Sequence, residues 1–431
     1  MPRIVLIPNC SFLSETSRML EIAKALRVRG TEALIASHGG TYEHILDASG
    51  FAWQRLQPAL DRSQVADFVG RLVNLGLGGA PLRSHDYVRE AVAAEATLLR
   101  ETKADMAVIG FNLTSFLSSR VAGIPLATSH GGAFVPPVFE HKLAPNPVNP
   151  PMAAIGWLPD SWGQRIANFI PPRLKQPVGF LNKMADELGV EHVPSVAALM
   201  CGDLTLVTEV PEILGIPPEE LEAWRPTSQH YRRNTRLRYV GPMFARLDGP
   251  IPGDVQSFLE NPEPVVYVAP TSVNEEFLRG MVQAVKNAGA RTLVAATIHD
   301  ISDLEDERTC VASLLPNHKV MPKVALAVMM GGQGSVQCAM ASGTPIIGFP
   351  FHGEQELNLV LAERQGMGMR LPPKAARTAM LTQAVKQMLS EPEVRRNAAR
   401  VQALYKGIDG AANAAGVILN YLAFASGRKA C

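Results

Sequence analysis

The chain has 431 residues, more than one hydrophobic core supports, and this length fits two domains of ordinary size. Apolar residues make up 47% and charged residues 19%, which is enough material for two buried sheets. The 41 basic and 40 acidic residues give a net charge of +1, and Arg232-Arg233 and Arg395-Arg396 are isolated doublets. This balance argues against a nucleic-acid partner, which needs a clustered basic surface.

The N-terminus begins with a short apolar run, Ile4 to Ile7, followed by Pro8. That run is too short for the core of a signal peptide and favours a first strand. No stretch approaches roughly 18 uninterrupted apolar residues, so no membrane span is predicted. The five cysteines are scattered, odd in number and without metal-ligand spacing, which favours reduced thiols in a cytoplasmic protein.

The chain then alternates predicted strands and helices, a pattern typical of a parallel sheet with helices on both faces. The predicted strands of the first half are 4–7, 32–36, 106–109, 124–128 and 204–208, and the helices are 17–27, 42–48 and 114–121. Residues 133–180 interrupt this rhythm with ten prolines. Such a long irregular segment favours a ligand pocket or lid, and the alternative is an excursion that covers the sheet edge.

A hinge is predicted at Gly249-Pro250-Ile251-Pro252-Gly253, after which the rhythm restarts. The strands predicted there are 265–269, 291–296, 319–321 and 326–330. The predicted helical segments are 276–287 and a long tract at 399–422 that is broken softly at Gly407 and Gly410. Two α/β halves joined by a hinge are expected to face across a cleft. Ligands of such sheets bind at the carboxyl ends of the strands.

The most informative segment begins with the predicted strand 326–330 and the turn Gly331-Gly332-Gln333-Gly334-Ser335, which leads into a helix. Glycines let the backbone approach a ligand closely, and the helix start favours an anion through its free N–H groups and dipole. A diphosphate is the natural occupant. The alternative for the turn by itself is a tight connection that packs a helix against the sheet.

Further elements follow at regular distances: Gly343-Thr344-Pro345, then Pro350 through Glu354-Gln355 to Asn358, then Gly366 to Leu371. Together with the glycine turn, this order resembles the signature of plant UDP-glycosyltransferases and bacterial antibiotic glycosyltransferases. The resemblance implies a GT-B fold, with two Rossmann-like α/β domains facing across a cleft. It implies an N-terminal acceptor-binding domain at 1–245, a nucleotide-sugar-binding domain at 246–410, and a C-terminal helix at 411–431 that packs back on the N-terminal domain.

The resemblance also assigns roles to residues that would bind a nucleoside diphosphate sugar. The turn residues Gly331, Gly332, Gln333, Gly334 and Ser335 would grip the diphosphate. Glu354 and Gln355 would hydrogen-bond the sugar hydroxyls, since a carboxylate accepts strongly and an amide both donates and accepts. The donor-binding set is completed by Asn358 in the same motif and by Thr271 and Ser272 in a second loop that faces the phosphates.

The chain departs from the family pattern at four places. Met330 stands where a phosphate-contacting histidine is common, Cys338 replaces a glutamate that holds the ribose, and the base-recognition loop 320–324 is short. The usual catalytic histidine falls on Glu15 and its partner aspartate falls near Gly110, so neither member of that dyad is present.

An inverting transfer needs a base that deprotonates the acceptor, unless the acceptor is already acidic. Glu15 could serve if burial raises its pKa, and His130, at the end of a predicted strand, is the second candidate. The alternatives are an acidic residue in the first turn of a helix for Glu15, and a loop histidine with satisfied hydrogen bonds for His130.

The leading hypothesis is an inverting glycosyltransferase that moves a sugar from a nucleoside diphosphate donor to a small, largely apolar acceptor. No cofactor or metal is expected, because the chain has no Asp-x-Asp motif and a helix dipole can supply the counter-charge. A homodimer is compatible with the sequence. The alternatives are a catalytically silent relative that acts as an auxiliary or binding protein, and a GT-B scaffold with different chemistry.

Overall fold

The computed structural model describes residues 1–73, 82–247, 249–270, 273–296, 299–425 and Gly427. Thr271 and Ser272, which were predicted to face the diphosphate, therefore lie outside the described residues. The chain divides into two compact units. The first comprises residues 1–143, 165–243 and 408–431, and the second comprises residues 144–164 and 244–407.

The first unit is built on a parallel sheet whose central strands are buried apolar runs. Its described strands are β1 (Arg3–Leu6), β2 (Glu32–Ser37), β3 (Trp53–Arg55), β4 (Met106–Ile109), β5 (Leu126–His130), β6 (Leu204–Val207) and β7 (Arg236–Tyr239). They lie in the order β3-β2-β1-β4-β5-β6-β7, and every described pairing is parallel. Strands buried on both faces read as continuous apolar sequence, as Ile4 to Leu6 does.

The second unit repeats this arrangement with a second parallel sheet. Its described strands are β8 (Val265–Val268), β9 (Arg291–Ala295), β10 (Thr309–Ala312), β11 (Leu326–Met329), β12 (Ile346–Gly348) and β13 (Gly368–Arg370). The order β10-β9-β8-β11-β12-β13 is doubly wound, with the switch between β8 and β11. Ligands of such sheets bind beyond the carboxyl ends of the strands at the switch point.

Helices connect the strands in both units. In the described ranges they are α1 (Leu13–Val28), α2 (His44–Ala48), α3 (Arg62–Val73), α4 (His85–Glu101), α5 (Ser115–Ala122), α6 (Pro136–Glu140), α7 (Asp160–Phe169), α8 (Gly179–Leu188), α9 (Pro211–Leu214), α10 (Pro218–Ala223), α11 (Gly253–Leu259), α12 (Glu275–Asn287), α13 (Asn317–Val320), α14 (Gln333–Ser342), α15 (Gly353–Arg364), α16 (Ala379–Ser390), α17 (Pro392–Tyr405) and α18 (Gly410–Ala425). Within the described ranges no single helix is long and apolar enough to cross a membrane, although α17 and α18, bent by 42°, reach that length and composition as a pair.

One predicted strand, 319–321, is wrong. These residues form the end of α13 and the start of a 3₁₀ turn. Prolines stand on both sides of the segment, and the Lys319 N–H bonds to the Pro316 carbonyl at 2.8 Å. Because Pro322 has no N–H for a sheet ladder, a single helical turn is the better solution for this short apolar stretch.

The proline-rich segment also differs from its predicted place, because residues 144–164 group with the second unit. Asn149 explains this grouping: its backbone N–H bonds to Glu356 at 3.0 Å and its side-chain amide bonds to the Pro350 carbonyl at 3.2 Å. The predicted boundary placed this stretch in the domain 1–245. The chain instead leaves the first unit after residue 143 and returns to it at residue 165.

The C-terminal helix α18 belongs to the core of the first unit. Ala414, Ala415 and Ile418 are fully buried in one cluster with residues of α1, including Met19 and Ile22. Two polar contacts fix its N-terminal end: Arg29 donates to the Ala412 carbonyl at 3.1 Å and Asn413 donates to the Val240 carbonyl at 3.0 Å. The first unit is therefore completed by the last described helix of the chain.

We expect Ile418→Ala to lower the free energy of unfolding of the first unit by about 2–4 kcal/mol, because it leaves a cavity between α18 and α1. Chemical denaturation followed by tryptophan fluorescence measures this change. Asn420→Ala, on the exposed side of the same helix, is the matched control. A loss as small as that of the control would show that α18 adds little to this core.

Candidate functional site

The glycine turn after β11 needs glycine for two different reasons. Gly331 has φ +92°, and a Cβ there would lie 2.6 Å from Leu359 Cδ1 and 3.1 Å from the Gln355 carbonyl oxygen. Gly332 has an ordinary φ of −60°, and a Cβ there would meet nothing within 4 Å. Gly331 is therefore required by conformation and packing. At Gly332, by contrast, the space that a side chain would occupy beside the turn is empty of protein atoms.

The helix α14 begins immediately after this turn, with Gly332 as its N-cap and without a side-chain cap. The N–H groups of Ser335 and Val336 both bond back to the Gly332 carbonyl at 3.1 Å. The N–H groups of Gln333 and Gly334 precede them in the first turn, where a helix has no internal acceptor. Residues 332–335 are partly exposed, so the positive end of the helix dipole is accessible to an anion.

The helix α15 is joined to the glycine turn by the amide of Asn358. This buried side chain donates from Nδ2 to the Gly331 carbonyl at 3.1 Å and to Glu354 Oε1 at 2.6 Å. Gln355 is fixed separately, since its Oε1 accepts from the Phe351 N–H at 2.8 Å. The structure thus brings the turn residues 331–335 together with Glu354, Gln355 and Asn358.

A buried ion pair between α15 and β13 was not predicted from the sequence. Glu356 accepts from Arg370 Nη1 at 2.8 Å and from the Asn149 N–H at 3.0 Å. Burial raises the pKa of Glu356, while the Asn149 bond and the Arg370 charge oppose that rise. Neither spacing nor periodicity connects Asn149 with Glu356, since 207 positions separate them. Their contact attaches the proline-rich segment to the helix that carries Glu354 and Gln355.

Two departures from the family pattern are core residues in this structure. Met330 is 3% exposed and packs in the core of the second unit. Cys338 is equally buried, and burial raises the pKa of its thiol to about 12. Both side chains therefore contribute apolar packing beside the glycine turn.

In the first unit, Glu15 occupies the first turn of α1 and is only 2% exposed. Its Oε1 accepts from the Asn9 N–H at 3.0 Å and from the Phe111 N–H at 2.6 Å. A Cβ on Gly110 would lie 2.6 Å from Glu15 Cγ, so the glutamate fills the space that a side chain at position 110 would need. Burial raises the pKa of Glu15 to about 7, although the backbone bonds and the charge of Arg18 oppose the rise.

His130 lies at the end of β5, next to the same loop. It is 8% exposed, and its ring makes an edge contact with Phe111 at 6.4 Å between centroids. Burial and the charge of Arg18 lower its pKa to about 3, despite a backbone hydrogen bond with Gly110. Among the described residues, its Nε2 has no hydrogen-bond partner. His130 is therefore a neutral imidazole with weak basicity.

A second polar cluster in the first unit was also missed by the sequence analysis. Glu95 is fully buried in α4 and accepts from His38 at 3.1 Å, from Asn112 at 2.9 Å and from Ser115 at 2.9 Å. Thr114 and Ser118 donate to it as well. Burial by itself would raise the pKa of Glu95, but the bonds and charge of His38 and the hydroxyl bonds bring the pKa below its usual value.

The only sequence signal for this cluster was the crowding of Asn112, Thr114, Ser115 and Ser118 at the start of α5. That spacing places several donors near one point of the helix, but it does not reveal the carboxylate that they share. The cluster adjoins a small recess whose lining includes Asn9, His38 and Phe111. Because Asn9 and Phe111 also bond to Glu15, the recess and Glu15 share one wall.

Glu15→Gln gives a test of the buried carboxylate, since the Gln Oε1 can keep both backbone bonds. A carboxyl whose folded pKa is raised from 4.5 to about 7 binds its proton more tightly in the folded state. Its ionisation therefore costs stability progressively as the pH rises through that window. We expect the unfolding free energy of the native chain, relative to the variant, to fall by roughly 3 kcal/mol in total across this range.

Urea unfolding at a series of pH values measures this difference. Glu21→Gln, at a partly exposed position of the same helix, is the matched control. A native-minus-variant difference that stays constant from pH 4.5 to pH 7 would contradict the raised pKa.

The chain is similar in sequence and in fold to several known proteins. Residues 279–406 match the family described as "Erythromycin biosynthesis protein CIII-like, C-terminal domain". The chain is 29% identical over 330 residues to a PGL/p-HBAD biosynthesis glycosyltransferase of Mycobacterium tuberculosis, which covers 73% of this chain and 70% of the relative. It is 28% identical over 416 residues to a PGL/p-HBAD biosynthesis rhamnosyltransferase of Mycobacterium bovis, covering 88% of this chain and 86% of the relative.

Among solved structures, the glycosyltransferase SsfS6 of Streptomyces sp. SF2575, complexed with thymidine diphosphate, superposes with a TM-score of 0.60 at 17% identity. The match covers 97% of this chain and 99% of that protein. The two doubly wound parallel sheets and this match confirm the predicted GT-B fold. The chain is a glycosyltransferase that is similar over most of its length to the PGL/p-HBAD biosynthesis glycosyltransferases and, at residues 279–406, to the erythromycin CIII-like C-terminal domain.

Proposed function

We propose that the protein transfers a sugar from a nucleoside diphosphate donor to a small, largely apolar acceptor, with inversion at the anomeric carbon and without a metal ion. The observation that carries the proposal is the junction made by Asn358, which holds the glycine turn and Glu354 together. The glycine turn suits a diphosphate, and Glu354 suits sugar hydroxyls. A sugar nucleotide requires both elements side by side, and the buried side chain of Asn358 holds them in that position.

The diphosphate is assigned to the turn at residues 331–335. The N-terminus of α14 offers backbone N–H groups and the positive end of a helix dipole, and Ser335 adds a hydroxyl. We infer that the dipole of α14 takes the place of a metal ion in balancing the charge of the leaving nucleotide. The thymidine diphosphate bound by the Streptomyces relative supports a nucleoside diphosphate as the ligand class.

The sugar is assigned to Glu354 and Gln355 at the start of α15. Both side chains are partly exposed. Gln355 uses its oxygen on the Phe351 N–H, so its amide N–H₂ is the group assigned to a sugar oxygen. Glu354 receives one bond from Asn358 and keeps acceptor capacity for a hydroxyl.

The base is assigned to Glu15 rather than to His130. A pKa raised to about 7 makes the Glu15 carboxylate a stronger base than an ordinary glutamate at neutral pH. His130 has a pKa lowered to about 3, which makes its imidazole a poor proton acceptor. Glu15 is also held in place by two backbone N–H groups, so its position does not depend on a second acidic side chain.

Gly332→Val tests the donor site with little risk to folding, because a Cβ there meets no atom within 4 Å and the backbone φ is −60°. The valine side chain would enter the space beside the turn. We expect the affinity for the preferred nucleotide among UDP, dTDP and GDP to fall at least about 10-fold, measured by calorimetric titration.

Gly253→Val, at the first residue of α11, is the matched control, since a Cβ there also meets nothing within 4 Å. If the native protein binds none of the three nucleotides, the donor assignment is wrong. EDTA is expected to leave both binding and turnover unchanged. A loss of turnover that Mg²⁺ restores would overturn the metal-free transfer.

Glu15→Gln is expected to lower kcat by about 10²- to 10⁴-fold, because the amide keeps the two backbone bonds but cannot accept the proton of the acceptor. Nucleotide affinity should not change. Turnover equal to that of the native protein would remove Glu15 from the chemistry. Absence of turnover in the native protein, with nucleotide binding intact, would favour the auxiliary or binding protein considered in the sequence analysis.

A further inference from the structure

We propose that helix α7 and the turns beside it attach the protein to the surface of a membrane that carries anionic lipid. We call residues 152–175, which carry this surface, the α7 segment. The inference goes beyond the proposed function. Its basis is a helix whose aromatic side chains are exposed, with further exposed apolar side chains and basic side chains around them.

The α7 segment holds a concentration of exposed apolar side chains. Among the described residues, thirteen large apolar side chains are exposed, and six of them lie between residues 152 and 170: Met152, Trp157, Leu158, Trp162, Phe169 and Ile170. Trp157 is 86% exposed, Trp162 is 57% exposed and Phe169 is 55% exposed. Proteins normally scatter such side chains singly, so a concentration of them marks a surface that binds something apolar.

The exposed aromatic side chains of α7 lie on one face because of helical spacing. Trp162, Ile166 and Phe169 are separated by four and three residues, so they project from the same side of the helix. A different side packs on the protein, since Gly163 is buried and a Cβ there would collide with the side-chain amide of Asn146. The helix therefore buries its glycine and leaves its aromatic side chains exposed.

Local backbone bonds continue the segment at both ends of α7. Before the helix, the Trp162 N–H bonds to the Pro159 carbonyl at 2.8 Å. After it, the Arg173 N–H bonds to the Ile170 carbonyl at 2.9 Å. The exposed surface is thus the product of one helix and its adjoining turns.

The charge of this part of the chain is positive. Asp160 is the only acidic residue between Glu140 and Asp186. The lysines and arginines of the same interval are Lys142, Arg165, Arg173, Lys175 and Lys183. The chain as a whole, in contrast, has 41 basic and 40 acidic residues. A local excess of positive charge attracts an anionic surface.

Three of these cations lie beside the exposed apolar side chains. Arg165 stands three residues after Trp162 and four before Phe169, which places it next to both on the helix surface. The Arg173 guanidinium carbon is 3.8 Å from the centroid of the Phe169 ring, and its Nη1 donates to the Phe169 carbonyl at 3.1 Å. Lys175 is exposed two residues further on.

The same three cations are available to an external anion. Arg165, Arg173 and Lys175 take part in none of the ion pairs formed within the described part of the chain. Burial lowers the pKa of His230, and the charges of Arg173 and Lys175 lower it further, so these two cations act on the same place. Such a group of exposed cations is complementary to anionic headgroups.

A membrane surface fits these observations better than other occupants do. Tryptophan and phenylalanine beside lysine and arginine are typical of helices that lie between headgroups and acyl chains. A second copy docked about a two-fold axis would bring the same cations together, which is unfavourable. A small acceptor needs a concave site that buries most of its surface, and Trp157, at 86% exposure, does not lie in such a site.

Vesicle flotation tests the attachment. Vesicles of phosphatidylcholine alone are compared with vesicles in which half of the lipid is phosphatidylglycerol, at low salt and in about 0.5 M NaCl. We expect the native protein to bind the phosphatidylglycerol vesicles at least about 10-fold more strongly at low salt. High salt should remove most of this preference, because it screens charges at the membrane surface.

Trp157→Ser combined with Trp162→Ser removes the two exposed indoles, and binding to the phosphatidylglycerol vesicles should fall at least about 10-fold. Phe424→Ser is the matched control, since Phe424 is an exposed aromatic side chain on α18. Lipids brominated on their acyl chains should quench the tryptophan fluorescence of the native protein. The double variant, whose remaining tryptophans are Trp53 and Trp224, should be quenched little.

Arg173→Gln tests the charge, and binding to the phosphatidylglycerol vesicles should fall about 5-fold. Arg395→Gln is the matched control, because Arg395 is also exposed and also donates to a backbone carbonyl, that of Leu389, at 3.2 Å. An Arg173→Gln variant that binds as strongly as this control would contradict the electrostatic part of the proposal.

Absence of binding to either kind of vesicle, or equal binding by the native protein and the double tryptophan variant, would overturn the proposal. A native dimer that becomes monomeric in the double variant, without vesicle binding, would also overturn it and assign the surface to a second copy. The residues assigned to the donor lie outside the α7 segment, so nucleotide affinity should be equal in all these proteins. Absence of nucleotide binding would refute the donor assignment and leave the vesicle result unaffected.

Discussion

The proposed donor site depends on one buried amide. Asn358 bonds to the carbonyl of Gly331 and to the carboxylate of Glu354, and so fixes the glycine turn against the first turn of α15. Leu359 of the same helix also lies close to Gly331, which adds an apolar contact beside this amide. A directional bond suits the proposed role of this contact, because a diphosphate and its sugar would have to be held at a fixed distance from each other. Apolar packing alone does not specify such a distance to a fraction of an ångström.

In the first unit, two departures from the family pattern form a single packing arrangement. The pattern leads one to expect a histidine at position 15 and an aspartate near position 110. The structure has a glutamate that reaches over a glycine, and a Cβ at Gly110 would collide with it. The carboxylate of Glu15 then takes hydrogen bonds from the loop backbone at Asn9 and Phe111. Glu15 is thus an acidic group that the loop backbone holds in place. The family pattern divides the reactive group and its support between a histidine and an aspartate.

The carboxylate of Glu95 is held in the first unit by a buried network of hydrogen bonds. His38 and Glu95 lie deep in the unit and contact each other within a network of hydroxyl and amide donors. Buried charges whose hydrogen bonds are satisfied stabilise a unique arrangement of loops.

The sequence by itself determined the two α/β halves and the motif proposed to bind the donor. The residues that form each strand, and those that form the motif, lie close together along the chain. Apolar runs such as Ile4 to Leu6 indicate buried strands, and the order of glycine turn, Glu354, Gln355 and Asn358 is written within one short stretch of chain. What only the tertiary structure decided are contacts between distant positions. The attachment of Asn149 to Glu356, the packing of Glu15 over Gly110, and the contact of His38 with Glu95 join parts of the chain that no periodicity relates. Burial and pairing set the charge and reactivity of these groups, and both arise only when the chain has folded.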